Sequence, residues 1–571
     1  MKKHIAIILS VILITAALIF FVTTLWTESF YEGEGNYLII GGEVIKDTKA
    51  PILEDENILI PFDVIKKFID PTAHWDEKLK TAVFTTEDKL IKMKTDKLTA
   101  MINRKPVDLN IPTRIIDETP YIPIEFLKDV LSIDIGFYGG QAVIMDSREE
   151  PIIIAKVAVE GAGIKKENSI FSPYFKKHTD IGETMRVFGK SEKWYRVRTK
   201  EGIIGYIDEK YVDVSEEKRP EPLPEPPAME PFKPEKGKIS MVWEHVVKKN
   251  PDTKKLKNIE GLDVVSPTWF AVVDGEGNVA NNGDINYVNW AHLNGYKVWG
   301  LVSNSFNPDI THEFLDNTDK REKIISQLLI YAKLYELDGL NIDFENIYVK
   351  DKDMLSQFMR ELYPLCREQG LTLSIDVTMI SGSANWSQSF DRKALSKAVD
   401  YVNLMAYDQH WATSPQAGSV AQYKWVENGL KRVLEEVPAE KLILGMPFYT
   451  RVWEEQKVDG VKKVSSKAIS MESVQKILSE KKPQIRWDKE SGQYYAQYKE
   501  KDITYKIWIE DKRSINLKTS LVHKYGLAGA AAWRRGFETE DVWVVIEDNL
   551  KNKEDYKQWA QVNKDEAVLY Q

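Results

Sequence analysis

The feature that most constrains the fold is an alternation of strand-like and helix-like segments through the C-terminal half of the chain. Helical stretches such as 321–337 and 354–369 separate most of the strand candidates, which are 263–270, 297–302, 339–344, 371–377, 401–406, 442–447 and 526–533. Strands that alternate with helices form a parallel sheet with helical crossovers. Seven such strands, with an eighth ill-defined, favour an α/β (β/α)8 TIM barrel over a doubly wound sheet. The active site of such a barrel lies at the C-terminal ends of its strands.

One predicted strand, DGLNIDFEN at 338–346, carries a dense group of polar side chains. Because side chains alternate along a strand, Asn341, Asp343 and Glu345 point one way and the apolar residues point the other, towards the helices. Two carboxylates at this spacing in a weakly solvated barrel repel each other, which raises one pKa, as a general acid near neutral pH requires. We therefore predict that Glu345, nearest the C-terminal end, is a general acid. The alternative is a salt-bridged structural pair.

These residues follow the strand-four signature DxxDxDxE, and the chain from 238 to 550 resembles glycoside hydrolase family 18, the chitinase family. The resemblance implies that Glu345 protonates the glycosidic oxygen. It also implies that Asp343 orients the N-acetyl group of the substrate, whose oxygen attacks the anomeric carbon in place of a protein nucleophile. This substrate-assisted chemistry needs no metal and no cofactor.

Further positions match the same family. The segment 405–408 (MAYD) looks like the family motif MxYD, which implies that Tyr407 bonds the acetamido group and that Asp408 contacts substrate. Trp533 resembles the tryptophan that forms a floor under the sugar, and 454–510 resembles a small α+β insertion beside the groove. Further substrate contacts are predicted for Asp338, Asn341, Trp269 and Trp411.

The chain departs from the chitinase pattern in two places. Asn341 replaces an aspartate, and the motif SxGG of strand three is absent, with 301–306 (LVSNSF) as the nearest match. The segments 339–346, 266–270 and 508–515 resemble the spore-cortex-lytic N-acetylglucosaminidase branch, where asparagine accompanies activity. We therefore expect cleavage of β-1,4 linkages after N-acetylglucosamine in peptidoglycan or a related glycan. A chitinase and a non-catalytic glycan-binding wall protein remain alternatives.

The N-terminal half predicts smaller domains. Residues 51–65 are echoed by 112–127, so 37–147 is predicted to be one α+β domain, and it resembles the copper amine oxidase N-terminal-like domain. Its single histidine, His74, makes a copper site unexpected. Alternating segments in 151–214 resemble a bacterial SH3-like β-barrel. The remaining predictions are a Pro-rich linker at 215–237, which cannot build a core, and a C-terminal tail at 551–571.

The N-terminus predicts a membrane anchor. Lys2 and Lys3 precede an uncharged apolar run from Ile5 to Trp26, within the segment 1–30, which is long enough for a transmembrane helix. The basic flank favours a single-pass orientation with the catalytic part extracellular, and a cleaved signal with secretion is the alternative.

The composition excludes some classes of function. The net charge is −9, which gives no reason to expect nucleic acid. The single cysteine, Cys366, rules out a disulfide within the chain. Neither a zinc-protease motif nor a calcium loop occurs, so no metal site is predicted.

Overall fold

The computed structural model describes residues 7–16, 26–31, 33, 35–217 and 229–570. The chain divides into two compact units, one built mainly from residues before 218 and the other mainly from residues after 228. Each unit is described by itself.

The second unit contains a closed barrel of eight parallel strands. The strands are β1 Ile239–Glu244, β2 Val264–Val272, β3 Lys297–Ser303, β4 Gly339–Asp343, β5 Thr372–Thr378, β6 Tyr401–Met405, β7 Leu442–Pro447 and β8 Gly529–Trp533. Each strand pairs in parallel with the next, and β8 pairs with β1 through Ile239–Gly529 to Val242–Ala532. The predicted (β/α)8 barrel is confirmed. The eighth strand is β1, which the sequence analysis did not assign and whose six residues are all buried.

The second unit has eleven α-helices among its described residues, and all but α7, which belongs to the insertion, accompany the barrel. They are α1 Ile285–Leu293, α2 Pro308–Leu315, α3 Thr318–Leu334, α4 Lys352–Glu368, α5 Arg392–Lys397, α6 Tyr423–Val433, α7 Met471–Lys481, α8 Lys512–Lys524, α9 Glu540–Lys551, α10 Tyr556–Val562 and α11 Lys564–Leu569. Cys366 is buried in α4, where burial raises the pKa of its thiol. The predicted tail at 551–571 includes α10 and α11, and Trp559 and Tyr570 are buried, so the segment packs on the barrel.

An α+β insertion separates β7 from α8. Its antiparallel sheet has five strands, Tyr449–Val458, Val461–Ser470, Gln484–Asp488, Gln493–Glu500 and Ile503–Ile509. Helix α7 supplies Val474 to a small core with Val452 and Ile507. The insertion therefore begins at Tyr449, a few residues before the predicted position.

The first unit begins with a domain of three sheets. The strands are Tyr37–Ile40, Glu43–Ile45, Ile52–Glu54, Asn57–Pro61, His74–Asp76, Thr81–Thr85, Leu90–Lys94, Thr99–Ile102, Lys105–Asp108, Arg114–Ile116, Thr119–Pro123, Ile133–Tyr138 and Ala142–Ser147. Equivalent strands of the two sequence repeats pair antiparallel, with Ile60 opposite Ile122. The helix of the first repeat is Phe62–Phe68, whereas the second repeat has only the 3-10 turn Ile124–Leu127.

A seven-stranded sheet follows in the region predicted to be all-β. Its strands are Ile152–Val157, Ile164–Lys165, Tyr174–Lys176, Thr184–Ser191, Trp194–Arg198, Ile204–Asp208 and Val212–Glu217, and every pairing is antiparallel. Trp194 is buried, as expected for a core residue.

The predicted linker at 215–237 is shorter than its composition indicates. Residues 218–228 lie outside the described part of the chain, and residues before them continue a strand to Glu217. On the other side, the backbone of Phe232 bonds to the barrel, because its N–H donates to Thr372 Oγ1 at 3.3 Å and its carbonyl accepts from the Tyr401 hydroxyl at 2.6 Å.

In the part of the chain that the structure describes, no helix has the length and apolar character needed to cross a membrane. The predicted anchor at 5–26 includes residues 5–6 and 17–25, which lie outside the described residues.

Candidate active site

The polar side chains of β4 point into the barrel, as the alternation predicts. Asn341 contacts the side chains of Trp243 on β1 and Ser266 on β2 across the interior. Phe344 faces outward instead, and its ring packs against Phe314 of α2 and Phe358 of α4. The predicted division between a barrel-lining polar face and an apolar face towards the helices is confirmed.

A hydrogen-bond network inside the barrel converges on Asp376 of β5. Asp376 Oδ1 accepts from Asn341 Nδ2 at 2.7 Å and from Asn403 Nδ2 at 2.8 Å. Asn341 Oδ1 in turn accepts from Trp243 Nε1 at 2.9 Å and from Ser266 Oγ at 3.1 Å. Asn341 is completely buried, so the structure gives it a role in orienting Asp376 rather than the predicted direct contact with substrate.

Asp376 is the functional candidate that the sequence prediction missed. The parallel register pairs Ile342 of β4 with Ile375 of β5, so the residues that follow them, Asp343 and Asp376, come side by side. The available signal was a carboxylate in the predicted strand segment LSIDV at 373–377, where Leu373, Ile375 and Val377 alternate with Ser374 and Asp376. A buried carboxylate is costly unless it is bonded or functional, and that cost could have identified it.

Burial raises the pKa values of three carboxyl groups, and repulsion from neighbouring carboxylates adds to the effect for two of them. Burial raises the pKa of Asp376 to about 7, against hydrogen bonds that lower it. Burial, then the charges of Asp376 and Asp408, raises the pKa of Glu345 to about 8. Burial, followed by repulsion from Glu345 and Asp376, also raises the pKa of Asp343. Glu345 is therefore protonated at neutral pH, as a proton donor requires.

Tyr407 and Asp408 follow β6 at the mouth of the barrel. Burial and the surrounding acidic groups raise the pKa of Tyr407, so its hydroxyl remains a neutral donor. Asp408 adopts a left-handed backbone conformation with φ at 57°. Its Oδ1 accepts from the Tyr449 hydroxyl at 2.7 Å and from Arg451 Nη2 at 3.1 Å, so the first strand of the insertion holds this carboxylate.

Trp533 ends β8 and is half-buried at the same mouth. Its ring centroid lies 6.3 Å from that of Trp243 and 5.8 Å from that of His245. Trp533 and Tyr407 pack against one apolar cluster that also contains Trp299 and Tyr401. A large ring with one exposed side at a strand end is suited to contact a sugar face, and the substrate contact of Trp533 remains a prediction.

The structure corrects two predicted substrate contacts. Trp269 is 1% exposed, donates from Nε1 to Asn250 Oδ1 at 2.6 Å and packs on Tyr287, so it is a core residue. Asp338 precedes β4 at the opposite end of the strand from Glu345. It accepts from Lys297 Nζ at 2.8 Å and from the Val298 N–H at 2.9 Å, which makes it structural.

Trp411 lies in the loop after β6 and is 53% exposed, so its indole is available to a ligand. Its predicted contact with substrate is untested. Within the described residues, no group of three or more histidine, cysteine or acidic side chains could hold a metal ion.

An eight-stranded parallel barrel that carries a glutamic acid of raised pKa beside buried aspartates at its mouth is suited to acid-catalysed cleavage of a glycosidic bond. The family model "Glycosyl hydrolases family 18" matches residues 284–538, and the model "Copper amine oxidase N-terminal domain" matches residues 39–145. The barrel is therefore a family 18 glycoside hydrolase domain, and the first domain is of the copper amine oxidase N-terminal type.

Two curated proteins from Bacillus subtilis (strain 168) are each similar to about half of this chain. The uncharacterized glycosylase YvbX is 25% identical over 303 residues, which cover 51% of this chain and 85% of that protein. The cortical fragment-lytic enzyme is 23% identical over 257 residues, which cover 44% of this chain and 59% of that protein. The chain thus spans less than two thirds of the second relative.

Two solved structures share the fold. The C-terminal domain of a putative chitinase from Desulfitobacterium hafniense DCB-2 has a TM-score of 0.50 and 24% identity, and the match covers 55% of this chain and all of that one. The spore cortex-lytic enzyme SleL from Bacillus megaterium QM B1551 has a TM-score of 0.50 and 20% identity, and the match covers 65% of this chain and 89% of that one.

Proposed function

We propose that the barrel cleaves β-1,4 linkages after N-acetylglucosamine in peptidoglycan or a related glycan, with Glu345 as the proton donor. The observation that carries this proposal is the barrel-lining face of β4, which ends with Glu345 at the mouth of the barrel, where burial and nearby charges raise its pKa to about 8. Asp343, Asp376 and Tyr407 lie close enough to share its electrostatic environment. The family resemblance supplies the chemistry for this arrangement.

Each residue has a role in a substrate-assisted retaining reaction. The acetamido oxygen of the substrate attacks the anomeric carbon while Glu345 protonates the departing glycosidic oxygen. Asp343 Oδ1 is buried without a hydrogen-bond partner among the described residues, so it can accept from the acetamido N–H. The neutral hydroxyl of Tyr407 can donate to the acetamido oxygen. In the second step water attacks the anomeric carbon and displaces the acetamido oxygen, which regenerates the acetamido group, and the Glu345 carboxylate takes the proton from that water.

The preference for peptidoglycan rests on similarity. The relatives include a cortical fragment-lytic enzyme, and Asn341 together with the segments around it resembles that branch. A chitinase and a glycan-binding wall protein are the competing outcomes. The intact set of Asp343, Glu345 and Tyr407 disfavours the binding protein, because a barrel that only binds glycan does not need a protonated glutamic acid.

We further propose that the chain is displayed at the cell surface. The apolar run at 5–26 would be a single-pass anchor with the catalytic part outside, and secretion after cleavage is the alternative. The seven-stranded sheet at 152–217 fits an SH3-like domain that binds or spaces the wall.

Product analysis by mass spectrometry tests the activity. The chain from residue 35 onwards would be incubated with vegetative peptidoglycan, cortex-type peptidoglycan and chitooligosaccharides. Fragments that end in reducing N-acetylglucosamine are expected from the wild type, and Glu345→Gln should reduce kcat by about 1,000-fold or more. The matched control is Glu435→Gln, which changes an exposed glutamate outside the site and should leave kcat unchanged.

Each of the two competing hypotheses predicts a different outcome of this experiment. Cleavage of chitooligosaccharides alone would identify a chitinase. Binding to a glycan by the wild type and by Glu345→Gln, with no fragments from any substrate, would contradict the enzymatic proposal.

A further inference from the structure

The backbone of Glu345 is held by a buried asparagine side chain from the neighbouring strand. Pairing between β3 and β4 ends at Ser303 and Asp343, two residues before Glu345. Beyond that point Asn304 Oδ1 accepts from the Glu345 N–H at 3.0 Å, and Asn304 Nδ2 donates to the Glu345 carbonyl at 2.7 Å. The side chain thus continues the sheet for one more residue by imitating a peptide group.

Asn304 uses its full hydrogen-bonding capacity. Its Oδ1 also accepts from the Phe306 N–H at 3.2 Å, and its Nδ2 also donates to Thr311 Oγ1 at 2.8 Å. An asparagine amide has two donor hydrogens and an oxygen that accepts two bonds, so each position is occupied. Because the side chain is completely buried, any bond it lost would leave a polar group without water.

The side chain of Asn304 is held in place by Thr311 of α2. Thr311 lies in α2 and is buried, and its hydroxyl donates to the Asn307 carbonyl at 2.7 Å. The loop after β3 also accepts a bond from the residue that follows Glu345, since Asn346 Nδ2 donates to the Phe306 carbonyl at 3.0 Å. Glu345 and Asn346 leave the sheet at this point, so these contacts decide where the Glu345 carboxyl lies.

We propose that Asn304 is the positioning residue of the proton donor: it fixes the backbone of Glu345 on both sides and thereby places the carboxyl group at the glycosidic oxygen. The inference rests on the proposed role of Glu345. Asn304 lies in the segment 301–306, where the chitinase motif SxGG is absent.

Kinetics of Asn304→Ala test the proposal. The expected result is a fall in kcat of about 10- to 100-fold with KM changed by less than about 3-fold, because a misplacement of about 1 Å can reduce a rate by about 100-fold. The matched control is Asn317→Ala. Asn317 caps α3 by accepting from the Lys320 N–H at 3.0 Å, so its loss should lower the melting temperature and leave kcat unchanged.

The variant Asn304→Asp distinguishes a positioning role from a purely structural one. Its kcat should recover when the new aspartic acid is protonated, whereas a purely structural role predicts no such recovery. A protonated aspartic acid has the shape of asparagine and one donor, whereas its carboxylate would repel the Glu345 carbonyl. The kcat of Asn304→Asp relative to wild type should therefore rise as the pH is lowered, with the melting temperature recorded at each pH. A constant ratio over the range in which the protein stays folded would overturn the inference.

An NMR measurement without substrate distinguishes a failure of this inference from a failure of the proposed function. Carbon-13 NMR of protein labelled at the glutamate side-chain carboxyl should show one resonance that titrates near pH 8, assigned by its loss in Glu345→Gln. In Asn304→Ala we expect that pKa to fall, because a loosened Glu345 admits water. An unchanged pKa together with an unchanged kcat would overturn the positioning role. Wild-type protein that is inactive on every glycan would instead contradict the proposed function.

Discussion

Asp376 acts on Glu345 through its charge. Burial is the largest cause of the raised pKa of Glu345, and the charge of Asp376 is the next. Replacing Asp376 with asparagine removes that charge, so the ionised form of Glu345 becomes less unfavourable and its pKa falls. Since Glu345 must be protonated to act as a donor, activity is lost as pH rises through its pKa.

We predict that in Asp376→Asn the loss of kcat/KM on the basic side occurs at a lower pH, below the value of about 8 expected for the wild type. A shift of about one pH unit corresponds to about 1.4 kcal/mol, the scale of one charge interaction inside a protein. Initial rates between pH 5 and pH 9, with Glu435→Gln as the control, provide the measurement. A basic limb that stays in place would show that Asp376 has no electrostatic effect on the donor.

At the scale of elements, one buried ion pair joins the helices that support β4. Arg321 of α3 and Glu361 of α4 are both completely buried, and Arg321 Nη2 donates to Glu361 Oε1 at 2.7 Å. Arg321 also donates to the Leu315 carbonyl at 2.7 Å and to Thr318 Oγ1 at 3.0 Å. Helix α4 packs against Phe344 through Phe358, so the pair supports the helix behind the segment that carries the donor.

Breaking this pair on one side leaves an uncompensated buried charge. Glu361→Leu should lower the free energy of unfolding of the barrel by about 3–5 kcal/mol, and the double variant Arg321→Met, Glu361→Leu should recover most of that loss. Urea unfolding measures both. Lys257→Ala, which removes an exposed pair with Glu540, is the control and should leave the midpoint unchanged. If Glu361→Leu lowered the free energy of unfolding no more than Lys257→Ala does, the prediction would be contradicted.

At the scale of the whole molecule, the two compact units predict independent folding. Residues 229–571 contain the closed barrel, its insertion and the C-terminal helices, with its own buried core. Produced alone, this segment should unfold cooperatively and retain kcat within about 2-fold on a soluble glycan fragment, because each site residue lies within it. Circular dichroism and product analysis provide the test. Loss of cooperative unfolding would show that the barrel depends on the first unit.

The sequence by itself determined the features that depend on neighbours along the chain. The alternation of β4 placed Asn341, Asp343 and Glu345 on one face, and strands alternating with helices predicted the barrel. Both follow from local backbone geometry, since the period of a strand is two residues. β1 was not predicted, and its position follows only from its parallel pairing with β2 and β8.

Tertiary structure alone decided which polar residues act together. Asp376 meets Asp343 only through the register of β5 against β4, and Asn304 reaches Glu345 only where β3 pairing ends. Asp338 belongs to the same sequence motif as Glu345, but it lies at the other end of the strand, where it pairs with Lys297. Trp269 lies in a predicted strand of the barrel, but its side chain packs in the core and does not reach the mouth. The physical reason is that burial and charge at a site come from residues distant in sequence, whose proximity no local pattern records.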